Sequence, residues 1–125
     1  MPTEFFVEGK PVSQGSMRSY GGGRMVHSSP DLKGWRDLIG LTARPLFAAP
    51  FHKSEPITVH LVFNIERPKT VKRKKPTSYP DLDKLIRAVL DSLTGIVYED
   101  DSQVVSITSQ KQYDERPGVL VWVHP

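Results

Sequence analysis

One stretch constrains this chain more than any other: across residues 56–65 apolar and polar side chains alternate. Ile57, Val59, Leu61, Phe63 and Ile65 fall on one face and Thr58, His60 and Asn64 on the other. A period of two specifies a strand with one face buried. Residues 4–8 read as a short strand stopped by Gly9 and Pro11, and residues 103–112 and 119–124 read as two more, separated by a turn-rich stretch at 113–118.

Helices interrupt this pattern twice. Ser29-Pro30-Asp31 is a helix start, with a hydroxyl cap, a proline at the first helical position and a carboxylate on the dipole. That helix should run to about Arg44, burying Leu32, Trp35, Leu38, Ile39 and Thr42 at three-and-four spacing, with Pro45 ending or kinking it. A second helix, Leu82–Leu93, carries Leu82, Leu85, Ile86, Val89, Leu90 and Leu93 on a broad apolar face, and Gly95 closes it in a left-handed conformation. Residues 16–27, with Gly21, Gly22 and Gly23 between apolar flanks, read as a hairpin with a flexible tip. They lack the strand-to-helix context and following Lys of a phosphate loop, so no nucleotide cofactor is expected. The order implies an α+β (mixed α/β) fold, a small mixed sheet with two main helices packed on it.

With 125 residues the chain has room for one domain, 1–125, and its core should suffice without disulfides. Having no cysteine, it lacks a thiol nucleophile and every Cys-ligated metal site, and this suits a reducing compartment such as the cytoplasm. The most apolar run, residues 46–51, is far too short to span a bilayer, and residues 1–4 do not resemble a secretory signal. The net charge of +3 says little, but Arg67, Lys69, Lys72, Arg73, Lys74 and Lys75 place six cations within nine positions, with no acid between Glu66 and Asp81. Such a run is either a solvated face or a polyanion site.

That basic run leads directly into Asp81-Leu82-Asp83, and Glu99-Asp100-Asp101 follows the second helix. An Asp at a helix start is ordinarily a cap, but a cap needs only one side chain. Inside a regular helix Asp81 and Asp83 would point apart, so Asp81 should keep an extended or capping conformation after Pro80 while Asp83 lies in the first turn. Asp100 and Asp101 alternate in an extended segment, and Asp101 is the one expected to meet the helix start. Carboxylates about 4 Å apart repel by roughly 4 kcal/mol at an effective dielectric near 20, so a hard cation is expected among them, Mg²⁺ or Mn²⁺ rather than Zn²⁺. Asp83, Arg87 and Asp91 share one face of the helix, either as a salt-bridge ladder or with Arg87 set to meet a phosphate. The four histidines are scattered and show no ligand spacing.

Residues 80–105, PDLDKLIRAVLDSLTGIVYEDDSQVV, resemble the RusA family of Holliday-junction resolvases. The resemblance implies a homodimeric, Mg²⁺-dependent crossover junction endodeoxyribonuclease of phage or prophage type, cutting two opposed strands of a four-way DNA junction in recombination and repair. It assigns the metal-binding aspartates to Asp81, Asp83 and Asp101, with Asp100 as the neighbouring carboxylate. The family's usual catalytic lysine falls on Arg87, which keeps the charge but not a deprotonatable ammonium. Lys84 stands where the family often has Asn and adds a cation near the phosphate. Two rival readings are a non-catalytic branched-DNA-binding dimer whose aspartates are caps, and a nuclease acting on flaps, forks or linear duplex.

Overall fold

In the computed structural model, residues 2–15 and 31–125 are described in full, together with the backbone of Arg18–Tyr20 and Arg24–Val26. The chain runs β1 (Thr3–Glu8), β2 (Arg18–Tyr20), β3 (Arg24–Val26), α1 (Leu32–Ala43), β4 (Ile57–Ile65), α2 (Leu82–Leu93), β5 (Val104–Tyr113) and β6 (Gly118–His124). The larger sheet is mixed, in the order β1-β6-β4-β5. β6 pairs antiparallel with both β1 and β4, while β4 and β5 are parallel and α2 provides the crossover between them. β2 and β3 form the expected hairpin; its tip at 21–23 lies outside the described residues.

The alternation in β4 becomes burial: Ile57, Val59, Leu61 and Phe63 are sealed in the core. Val119, Val121 and Val123 of β6 and Phe5 and Val7 of β1 continue the same layer. Leu85, Ala88, Val89 and Leu93 of α2 and Leu32, Trp35, Ile39 and Ala43 of α1 cover it. At about 1.5 to 3 kcal/mol for each fully buried aliphatic side chain, this layer fixes α2 on the sheet and leaves its polar face outward. Gly118 opens β6 because a Cβ there would lie 2.3 Å from the Val7 carbonyl oxygen.

Two details differ from the sequence reading, and a third, the end of α1 at Pro45, agrees with it. α1 begins at Leu32, so Asp31 is its N-cap rather than a first-turn residue and makes no side-chain cap bond; Ser29 and Pro30 lie outside the described residues. Leu38 is 37% exposed, at the rim of the stripe, whereas Gly40 and Ala43 complete it. Pro45 sits within a short 3₁₀ turn, Arg44–Leu46, that follows α1 directly. No helix among the described residues is long and apolar enough to cross a membrane.

Candidate active site and nucleic-acid interface

Asp81 occupies the N-cap position of α2 with extended dihedrals, φ −70° and ψ 135°, and Asp83 lies in the first turn, as the preceding Pro80 suggested. Asp81 does not cap the helix; its Oδ2 lies 3.4 Å from Lys84 Nζ. Asp83 makes no hydrogen bond or ion pair among the described residues, and both carboxylates are exposed. Asp83, Arg87 and Asp91 follow along one outer face, but the salt-bridge ladder is not formed. Among the described residues the ion pairs are Lys33–Asp37, Lys84–Asp81 and Arg116–Glu8. Arg87 is exposed and free of carboxylate partners there.

At the other end of α2 the chain reverses through Gly95, whose φ of +84° suits a residue without a Cβ. Gly95 N donates to Tyr98 O at 2.7 Å and Val97 N to Leu93 O at 2.9 Å. Tyr98 is wholly buried, and its Oη donates to the Leu90 carbonyl at 2.7 Å. Burial, then the nearby Asp101 charge, pushes its phenol far above the ordinary range, so it remains a donor. Removing only that hydroxyl, in Tyr98→Phe, is expected to cost about 1 kcal/mol. Thermal melting should show a drop of roughly 4 °C; an unchanged melting point would show that the hydroxyl does not anchor the turn.

This turn delivers Asp101 against Asp91. Loss of hydration, then contact with Asp100 and the charges of Asp91 and Asp100, raises the Asp101 carboxyl above its usual value. Asp100 goes the other way, lowered first by its hydrogen bond from the Ser102 backbone, which its Oδ1 accepts at 3.0 Å. Asp100 thereby caps the 3₁₀ turn Asp101–Gln103. The buried Gln103 side chain locks the segment: Oε1 accepts from the backbone N–H groups of Glu99 and Asp100 at 2.8 and 2.9 Å. Its Nε2 donates to the carbonyls of His52 and Glu55 at 2.8 and 3.2 Å.

Asp101 therefore meets the C-terminal end of α2, whereas Asp83 stands eight residues earlier, about 12 Å along the axis. Among the described residues no three His, Asp or Glu side chains are gathered closely enough to hold a metal ion. The separation follows from the rise of α2 between Asp83 and Asp91. The donor chemistry is nonetheless that of a hard cation: exposed carboxylate oxygens along one face and no thiolate.

The six cations at 67–75 are all exposed, and none is paired with a carboxylate among the described residues. Arg67 lies 5.0 Å above the Tyr113 ring, and Arg73 Nη2 donates to Ser78 Oγ at 2.9 Å. Lys111 Nζ donates to the carbonyls of Ser78 and Pro80, both at 2.7 Å, fixing the loop one residue before Asp81. A groove of about 380 Å³ lined by Lys10, Arg67, Lys69 and Pro80 opens beside that junction. Another, of about 510 Å³, is lined by Arg36 of α1, Arg44 of the 3₁₀ turn after it, and Asp91.

Sequence reasoning missed Asp91 as the partner of Asp101, and it missed Arg36, Arg44 and Lys111. Arg36 lies on α1 and Arg44 directly after it, eight residues apart, a same-face spacing for a continuing helix that could have drawn attention to them.

Comparisons with known proteins give the family. A family model described as endodeoxyribonuclease RusA matches residues 8–124. The uncharacterized protein YqaN of Bacillus subtilis (strain 168) is 31% identical over 139 aligned positions, covering 96% of this chain and 94% of that protein. The chain belongs to the RusA endodeoxyribonuclease family.

Proposed function

We propose that this protein is a Mg²⁺-dependent endodeoxyribonuclease that resolves four-way DNA junctions as a homodimer, one active site for each of two opposed nicks. Its supporting observation, in a RusA chain, is charge at both ends of α2: exposed cations, none paired with a carboxylate among the described residues, run into Asp81 at one end, and Asp101 stands beside Asp91 at the other. The carboxylate ligands would come from Asp81 and Asp83 at the start of α2 and from Asp101 at its far end, with Asp100 beside it, so cation binding draws on both ends of the helix rather than on one preformed cluster. Mn²⁺ should substitute, both ions preferring oxygen ligands.

When bound, such a cation polarises a phosphate oxygen and lowers the pKa of a bound water. Arg87, exposed between Asp83 and Asp91, clamps the scissile phosphate and offsets charge that develops there. Lys84 adds a second positive group. Arg67, Lys69, Lys72, Arg73, Lys74 and Lys75 hold the flanking backbone, and the branched shape of the junction supplies the selectivity.

The test is incubation of the purified protein with a synthetic four-way junction and Mg²⁺, in competition with flaps, forks and linear duplex. Paired symmetric nicks on the junction are expected. Tight binding without cleavage in any divalent metal would instead identify a shape-recognising DNA-binding dimer. If all six loop cations meet phosphates, the logarithmic salt dependence of binding should have a slope of about −5, and Lys74→Ala with Lys75→Ala should reduce it by about 2. An unchanged slope would place the DNA elsewhere.

A further inference from the structure

Gln14 joins the two ends of the acidic face. Its backbone N–H donates to the Lys84 carbonyl at 2.9 Å, immediately after Asp83 in the chain, and its side-chain Nε2 donates to Oδ2 of Asp91. Next to it, Ser13 Oγ donates to Tyr79 Oη at 3.0 Å, so the N-terminal segment is strapped across the approach to α2. Gln14 is only 7% exposed, and its Oε1 is buried without a hydrogen-bond partner among the described residues.

The direction of the amide is dictated by its neighbour. Reversing it would set Oε1 against the Asp91 carboxylate, two acceptors with no proton between them. Oε1 and Nε2 share one carbon, so the stranded oxygen lies beside the same carboxylate. Folded proteins rarely leave a buried acceptor without a donor, and each such case asks for a missing partner. The bond to Asp91 accounts for Nε2, but neither it nor packing accounts for Oε1, which is buried without a donor among the described residues. A hard cation, or water held by one, is a partner suited to an amide oxygen next to carboxylates.

We infer that Gln14 is a positioning residue for a divalent cation at the Asp91–Asp101 end of α2. Nε2 fixes one oxygen of Asp91, leaving the other for the cation, and Oε1 supplies a neutral oxygen to the cation or its water shell. This rests on the metal-dependent reading above and adds Asp91 and Gln14 to the site.

The experiment is a titration of the full chain with Mn²⁺ alone, without DNA, followed by electron paramagnetic resonance of free Mn²⁺ and by thermal melting. Gln14→Leu is expected to weaken Mn²⁺ binding by about 10-fold or more, while the metal-free melting point falls only by roughly the few degrees that one lost hydrogen bond to Asp91 accounts for. Gln14→Glu sets a carboxylate against Asp91, so it should melt lower without metal and gain more than the parent protein when Mn²⁺ is added. A Leu variant that binds Mn²⁺ as tightly as the parent overturns the role of Gln14 and leaves the cation site standing. A parent protein that binds no Mn²⁺ at millimolar concentration overturns the metal-dependent reading and this inference together. A Leu variant strongly destabilised without metal, with a Glu variant that Mn²⁺ does not rescue, identifies a packing role and overturns the inference as well.

Discussion

Asp101→Asn is expected to reduce junction nicking by about 10³-fold or more while leaving the metal-free protein as stable as the parent or more so. The first effect would follow from the proposed role of Asp101 as a charged ligand of the cation, since metal-assisted charge stabilisation in the transition state is worth several kcal/mol. The second follows from the crowding at the end of α2, where Asp101 is held against Asp91 and Asp100. An amide in place of the carboxylate removes a negative charge and donates to both neighbours. A carboxyl whose pKa is raised above its ordinary 3.8 binds a proton more tightly in the folded chain than in the unfolded one. Its penalty on stability therefore grows as pH rises through that range and is complete at neutrality. The advantage of the Asn variant should be full near pH 7 and vanish as pH falls below about 3.8, which melting curves across pH would reveal. Unchanged nicking would remove Asp101 from the chemistry, and a large loss of metal-free stability would make it a structural residue.

The same residue marks how far the sequence alone could be read. α2 was legible because all its signals are local: apolar spacing, Pro80 and Asp81 before it, Gly95 after it. The extended conformation of Asp81 was legible for the same reason, since only one arrangement of a two-residue spacing lets both carboxylates leave the helix start on one side. The meeting of Asp101 with Asp91 was not, because Arg87 offered Asp91 a local partner four residues away and the reversal through Tyr98 set the actual one. Gln14 lies 77 positions from Asp91, and no periodicity links an N-terminal strap to a helix so far along the chain. The parallel pairing of β4 with β5, Thr58 opposite Ser106, is likewise a property of the crossover rather than of either strand's pattern. Local order was written in spacing, and the site's assembly was written in the packing that spacing permits.

Gln103→Leu should be a strongly damaging change outside the chemistry, costing about 3 kcal/mol of stability. At this chain length that is a fall in melting temperature of roughly 10 °C or more. The side chain is buried and satisfies four backbone groups at once, two N–H groups of the segment entering Asp101 and two carbonyls of the segment entering β4. Leucine fills the volume but meets none of them. The exposed groups among the four can recover water, which keeps the expected loss near 3 kcal/mol rather than the full sum of four buried bonds. The consequence reaches the site because Glu99 and Asp100 lose the acceptor that aligns them. Asp100 keeps its own bond to Ser102, but the turn is no longer tied to the strand layer, and Asp101 no longer has a fixed position opposite Asp91. Nicking should therefore fall even at temperatures where the variant remains folded, in contrast to Tyr98→Phe, where the segment keeps its Gln103 lock. Equal activity in the two folded variants would mean that Asp101 is positioned by α2 alone and that the Gln103 lock serves stability only.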